Sequence, residues 1–120
     1  MEPGKVYHCQ NIAEYHAALS TAGDRLVVVD CSAQWCPPCA HMAPIFESLA
    51  AEYKDVVFVK VDVDDVPEIK KVLTIWALPT FYFLRYGNKV GSFMGADEWK
   101  LRHGLENNGI VSLCNSCEIL

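Results

Sequence analysis

Apolar residues recur along the chain in two patterns, compact runs and spaced stripes. Five compact runs, rich in β-branched and aromatic residues and bounded by polar or turn-forming residues, predict β-strands. They cover residues 5–9, 26–30, 56–63, 80–84 and 89–93. Four segments carry apolar residues every three or four positions, which predicts amphipathic helices that begin near residues 12, 36, 69 and 97.

The order of these elements indicates an α/β fold. Strands and helices alternate in the first half of the chain, a pattern that favours a parallel sheet. Residues 86–88, Tyr-Gly-Asn, separate the last two strands, which should pair antiparallel as a hairpin. Capping boxes are predicted at residues 11–14 and 65–68, and Pro44 should kink the second helix without ending it. We therefore expect one central mixed sheet of five strands flanked by four helices.

Composition narrows the class of protein. A length of 120 residues suffices for one domain whose core folds without disulfides. The net charge of −5 argues against nucleic acid or an anionic membrane as the main partner, and favours proteins or small thiols. No apolar run approaches the roughly 18 residues of a membrane span, and the N-terminus lacks the apolar segment of a signal peptide. A cytoplasmic location is the resulting expectation.

The candidate chemistry lies where the second strand meets the second helix. A first helical turn tolerates prolines, so Cys36, followed by Pro37 and Pro38, should sit at the helix N-terminus. Free amides and the helix dipole stabilise a thiolate there and can lower a cysteine pKa from about 8.5 to about 7 or below. Cys36 is therefore the expected nucleophile. Cys39 lies one turn further on, within reach for a reversible disulfide.

The other cysteines admit different interpretations. Cys9 and Cys31 lie in apolar strands and are expected to be buried and unreactive. Cys114 and Cys117 form a second pair, which would supply the remaining ligands of a structural zinc site with the first. The separation of the two pairs is far outside the usual 15 to 20 residues, which argues against zinc.

Residues 35–39, Trp-Cys-Pro-Pro-Cys, resemble the active site of the thioredoxin family, with Asp30 six positions before the first cysteine. The family's usual motif is Trp-Cys-Gly-Pro-Cys. Pro37 departs from it, as in the tryparedoxins, and Ala40 stands where many thioredoxins carry a lysine or arginine. The resemblance covers residues 6–107 and implies the thioredoxin fold.

This resemblance implies catalytic roles, which fall on Cys36, Cys39, Asp30, Lys60, Pro37 and Pro38. Cys36 would attack a substrate disulfide and Cys39 would resolve the mixed disulfide. Asp30 would be a buried carboxyl with a raised pKa that accepts the proton of Cys39; a surface-turn acid is the alternative. Lys60 would pair with Asp30 and modulate it, unless it is an ordinary surface lysine.

The resemblance also implies a substrate-binding surface, made of Trp35, Trp76, Leu78, Pro79 and Gly95. Leu78 and Pro79 match the family's cis-proline loop, whereas a trans proline at a strand start is the simpler interpretation. Trp76 is interpreted as an exposed aromatic platform, with core filling as the alternative. Gly95 stands where thioredoxins keep a glycine near the substrate groove, although packing alone would also explain it.

The expected function is reduction of protein disulfides by a Cys36/Cys39 dithiol, without a bound cofactor. By resemblance, NADPH-dependent thioredoxin reductase would be the donor, and peroxidases or ribonucleotide reductase would be acceptors. One alternative is a tryparedoxin-like electron carrier to peroxidases, which Pro37 favours. Another is a non-catalytic thioredoxin-fold module that binds a partner through Trp35, Trp76 and Pro79.

The sequence divides into a thioredoxin domain, residues 1–108, and a C-terminal tail, residues 109–120. The tail has no counterpart in the family pattern. Three interpretations stay open: a frayed end, an auxiliary thiol pair of Cys114 and Cys117, or a prenylation box ending in Leu120. Glu118 fits the aliphatic position of such a box poorly.

Overall fold

The computed structural model describes residues 2–109 of the chain. Its elements follow in the predicted order: β1 (Val6–Cys9), α1 (Ile12–Ala22), β2 (Val27–Ser32), α2 (Pro37–Glu52), β3 (Val57–Asp62), α3 (Ile69–Val72), β4 (Thr80–Arg85), β5 (Asn88–Met94) and α4 (Glu98–Gly109). Within residues 2–109, none of the helices has the length and apolar content needed to cross a bilayer.

The strands form one mixed sheet in the order β1-β3-β2-β4-β5. β1, β3 and β2 run parallel, whereas β4 is antiparallel to β2 and β5 is antiparallel to β4. β2 is the central strand and is buried along its whole length. The predicted α/β architecture, a mixed sheet of five strands with four helices, is confirmed.

Two apolar cores lie on opposite faces of the sheet. Large buried side chains include Tyr15, Ile69 and Leu73 under α1 and α3, and Phe46, Phe58, Phe81, Leu101 and Leu105 under α2 and α4. Successive strand residues alternate between the two faces. Val28 belongs to the core under α2, so Asp30 and Ser32, two and four positions later, point to the α2 side as well.

Two element boundaries agree with the sequence and two differ slightly. Asn11 caps α1 by accepting the N–H of Glu14 at 2.9 Å, and α2 continues past Pro44, both as predicted. α4 begins at Glu98, beside the expected start near residue 97, and extends to Gly109, across the predicted domain boundary after residue 108. The hairpin turn is also shorter than predicted, because residue 88 already pairs in β5.

The predicted cap at residues 65–68 is wrong. α3 begins after Glu68, whose side chain makes no capping hydrogen bond. The turn after β3 is held by Asp62, the last residue of that strand. Asp62 Oδ1 accepts the N–H groups of Asp64 at 2.8 Å and Asp65 at 3.3 Å. An aspartate that bonds to amides two and three residues ahead competes with a cap further on, and here it prevails.

Candidate active site

The two motif cysteines lie at the start of α2. Cys36 is its N-cap residue, only 4% exposed, and forms a disulfide with Cys39, with the two Cα atoms 5.2 Å apart. The Cys39 N–H donates a hydrogen bond to Cys36 Sγ at 3.2 Å. Pro37 and Pro38 lack an N–H, so the Cys39 amide is the first donor that the helix offers to this sulfur. The predicted position of Cys36 at a helix N-terminus is confirmed.

Asp30 lies on the central strand, on the same side of the sheet as α2. Its side chain is completely buried, and neither carboxyl oxygen has a hydrogen-bond partner within residues 2–109. Burial raises the pKa of the Asp30 carboxyl to about 7, and the positive charge of Lys60 opposes the rise. The expected burial of Asp30 is confirmed, and the alternative of a surface-turn acid is wrong.

Lys60 is the cross-strand neighbour of Asp30 in the parallel pairing of β2 with β3. Residues paired in this way project from the same face of the sheet. Within residues 2–109 the two side chains do not form an ion pair at or below 4.0 Å. The direct pairing expected from the sequence is therefore not made, and Lys60 acts on the Asp30 pKa through space.

Trp35, the residue before Cys36, is held by an acid that the sequence did not single out. Trp35 is 68% exposed, and its Nε1–H donates to Asp64 Oδ2 at 2.7 Å. Asp64 follows β3, whose carboxyl end lies beside that of β2 because the two strands are parallel. The sequence could have pointed to these acids, because residues that follow β3 lie at the same edge of the sheet as the dithiol, which follows β2.

The loop before β4 completes the exposed surface. The Leu78–Pro79 peptide bond is cis, as the resemblance implied. The Pro79 carbonyl accepts the N–H of Gly95 at 2.8 Å, which joins this loop to the end of β5. Trp76 is 84% exposed, so the alternative that it fills the core is wrong.

The remaining described cysteines are buried in the core under α1 and α3. Burial raises the pKa of the Cys9 thiol to about 12, and it raises the pKa of Cys31 strongly. Both are therefore protonated at neutral pH, as expected for unreactive core cysteines. Cys114 and Cys117, which the zinc alternative requires, lie outside the described residues. Residues 2–109 contain no group of three or more potential metal ligands.

This arrangement suits thiol–disulfide exchange. Two cysteines one helical turn apart open and close a disulfide with little backbone movement. The Cys36 sulfur faces a helix N-terminus, and a buried carboxyl whose pKa is raised to about 7 lies on the strand beneath. Exposed aromatic and backbone groups around the pair offer a contact surface for another protein.

Comparison with known proteins agrees with this chemistry. The family model for thioredoxin matches residues 6–107. A thioredoxin of Ictalurus punctatus is 44% identical over 105 residues, which span 86% of this chain and 98% of that protein. Human thioredoxin is 47% identical over 87 residues, 72% of this chain and 83% of its own.

The fold has close counterparts among solved structures. One is a chain in the crystal structure of a ferredoxin:thioredoxin reductase and thioredoxin f2 complex, with 31% identity and a TM-score of 0.85. The match covers 90% of this chain and 98% of that one. Family model, sequence relatives, fold and dithiol all agree, and the chain belongs to the thioredoxin family of thiol–disulfide oxidoreductases.

Proposed function

We propose that the chain reduces disulfides of other proteins with Cys36 as the nucleophile and Cys39 as the resolving thiol. The Cys36 thiolate attacks one sulfur of the substrate disulfide, and the other substrate sulfur leaves as a thiolate that takes a proton from solvent. Cys39 then attacks Cys36 Sγ, closes the internal disulfide and releases the second substrate thiol. Two electrons pass to the substrate. The observation that carries these roles is the Cys39 N–H directed at Cys36 Sγ at 3.2 Å.

Asp30 is proposed as the proton acceptor in the second step. A thiol must lose its proton before it attacks, and Cys39 is only 3% exposed. A carboxyl whose pKa is about 7 has the affinity needed to take that proton at neutral pH and to give it up again. Lys60 tunes this affinity downward.

The substrate is proposed to bind across Trp35, Trp76, Leu78, Pro79 and Gly95. Trp35 and Trp76 present large aromatic faces to solvent, which a bound substrate protein would cover. The cis-proline loop offers backbone groups for an extended substrate segment. The Gly95 N–H, already bonded to Pro79, keeps the floor of this surface in place.

The proposed donor is NADPH-dependent thioredoxin reductase, in the cytoplasm. A relative of similar fold occurs in a complex with ferredoxin:thioredoxin reductase, which supports a reductase as the class of partner. Peroxidases and ribonucleotide reductase are the proposed acceptors. One observation favours a second candidate, a tryparedoxin-like carrier: Pro37 stands where most thioredoxins have glycine.

Reduction of insulin separates these possibilities. The protein is supplied with thioredoxin reductase and NADPH, or with the low-molecular-weight dithiol trypanothione and its reductase. We expect rapid turnover with the first donor, and none in a Cys36→Ser variant. A Cys39→Ser variant should instead accumulate a mixed disulfide. Efficient reduction by trypanothione alone would favour the tryparedoxin-like carrier, and no turnover with either donor would contradict the proposal.

A further inference from the structure

Four polar side chains project from neighbouring positions of β2 and β3, on the face of the sheet that α2 covers. Asp30 and Ser32 are two residues apart on β2 and so share a face. Their partners in the parallel register of β3 are Lys60 and Asp62 respectively, which project to the same side. The patch lies where apolar residues otherwise form the core under α2.

A cavity of about 220 Å³ adjoins this patch and opens to the surface. Its lining consists of Ser32, Ala33, Gln34, Cys39, Ala40, Lys60 and Asp62. A water molecule takes roughly 30 Å³ in the liquid, so the cavity has room for several. The lining also supplies the hydroxyl, ammonium and carboxylate groups that ordered water needs.

Asp30 needs such a route, because it is completely buried and has no hydrogen-bond partner within residues 2–109. A carboxyl that takes the proton of Cys39 in each cycle must pass that proton to solvent before the next one. Apolar side chains cannot do this. Ser32, 2% exposed, carries a hydroxyl that can both accept and donate a proton.

Asp62 is fixed at the other side of the same cavity. Its Oδ1 accepts the N–H groups of Asp64 and Asp65, which hold the carboxylate in one orientation. Its Oδ2 takes no hydrogen bond from residues 2–109, so it is open to water. Asp62 is only partly buried and therefore lies between the buried patch and bulk solvent.

We propose that Ser32 and Asp62 are positioning residues of a proton-exit route, in which they order water between the buried carboxyl of Asp30 and solvent. The inference rests on the proposed role of Asp30.

In the resolving step, the Cys39 proton moves to Asp30 as the Cys36–Cys39 bond forms and the substrate thiolate leaves. The proton then passes through cavity water, held by the Ser32 hydroxyl and the Asp62 carboxylate, to bulk water. The charged and titratable groups that line the cavity or act on Asp30 are Lys60 and Asp62 of β3 and Cys39 of α2, while Cys31 of β2 points to the opposite face of the sheet.

Stopped-flow reduction of 5,5′-dithiobis(2-nitrobenzoate) tests the route, because each reduced protein releases two coloured thiolates in sequence. The first release reports attack by Cys36 and the second reports resolution by Cys39. We expect Ser32→Ala and Asp62→Asn each to slow the second phase by about threefold to tenfold at pH 7, less than removal of a proton acceptor itself. The first phase should keep its rate. Ser32→Thr retains the hydroxyl and should restore the second phase, and Asp55→Asn, on the exposed turn before β3, serves as the matched control.

The outcomes distinguish the inference from the proposed function. If Asp30→Asn slows the second phase but Ser32→Ala and Asp62→Asn do not, the exit route is wrong and the role of Asp30 stands. If Asp30→Asn leaves the second phase and its pH profile unchanged, the proposed function of Asp30 fails, and the exit route fails with it. Equal slowing of both phases would mean that the variants disturb the dithiol itself, which would also overturn the route.

Discussion

At the scale of single residues, Asp30 is a buried ionisable group whose loss of hydration the fold does not fully compensate. A carboxyl without a hydrogen-bond partner at a fully buried position resists ionisation, because the charged form loses its hydration. Lys60 supplies only part of the compensation, since burial remains the larger effect on the Asp30 pKa. Such a residue lowers stability at neutral pH, and a catalytic role would explain why the fold tolerates it.

Replacing Asp30 by asparagine should reveal this cost through its pH dependence. The Asp30 pKa is raised from 3.8 to about 7, so between these values the folded chain retains a proton that the unfolded chain has lost. The contribution of Asp30 to the unfolding free energy therefore falls as the pH rises from 3.8 to about 7, and it is constant above that window. About three pH units correspond to roughly 4 kcal/mol. The unfolding free energy of Asp30→Asn minus that of the unaltered chain should therefore be up to about 4 kcal/mol larger at pH 8 than at pH 3.

Urea denaturation of the oxidised protein at the two pH values measures this difference. The change in unfolding free energy that Asp30→Asn causes at pH 8 is compared with the change it causes at pH 3, so any pH-independent effect of the buried amide cancels. Asp55→Asn, which changes an exposed aspartate before β3, is the control and should show no such pH dependence. An equal change in stability at pH 3 and pH 8 would contradict a raised Asp30 pKa.

The two motif thiols should differ sharply in reactivity once the disulfide is reduced. The Cys36 sulfur faces the Cys39 amide at the helix N-terminus, which stabilises its thiolate. We expect iodoacetamide to alkylate Cys36 with an apparent pKa clearly below 8.5, and Cys39 to react more slowly at every pH. Mass spectrometry of samples quenched across pH 5 to 9 checks this order. Faster labelling of Cys39 would show that the roles are reversed.

At the scale of elements, the start of α2 is the part of the site that the sequence predicts best. Two prolines fit the first turn of a helix and a cysteine can serve as its N-cap, so local rules alone place the dithiol. The bond from Trp35 to Asp64 and the cavity beside Ser32 depend instead on the register of β2 against β3. Local patterns do not contain that register. The cap at residues 65–68 failed for a local reason instead, because Asp62 Oδ1 already accepts the N–H of Asp65.

Pro37 should influence the redox potential through the turn that it forms. Proline fixes φ and so restricts how the turn adjusts when the two sulfurs bond, whereas glycine removes this restriction. We expect Pro37→Gly to stabilise the disulfide and make the potential more negative by about 10 to 30 mV, where 30 mV is about 1.4 kcal/mol. Equilibration with glutathione buffers measures the shift. Pro38→Ala, one position further into the helix, is the comparison variant, and an unchanged potential in Pro37→Gly would refute the argument.

At the scale of the whole molecule, the dithiol and the end of α4 lie at opposite ends of the sheet. Thr80, at the start of β4, pairs with Cys31 near the site, while Arg85 at the far end of β4 donates to the Asn108 carbonyl at 2.9 Å. Arg85 also donates to the Asp24 carbonyl at 2.7 Å, which ties α4 to the turn after α1. The described chain therefore ends away from the dithiol, and the bond from Arg85 holds the last described turn of α4.

Removal of the tail after Gly109 should consequently leave the reductase intact. The truncated chain keeps every described residue of α4 and its anchoring bond to Arg85. We expect the truncated chain to fold, to stay monomeric and to reduce insulin at the rate of the full chain. The full chain, but not the truncated one, should form disulfide-linked dimers or an internal bridge under mild peroxide, because two thiols at CxxC spacing oxidise readily when accessible. The full-length Cys114→Ser, Cys117→Ser variant is the matched control, and non-reducing gels with mass spectrometry read the result. Loss of insulin reduction on truncation, with circular dichroism unchanged, would mean that the tail takes part in catalysis and that the division of the chain into domain and tail is wrong.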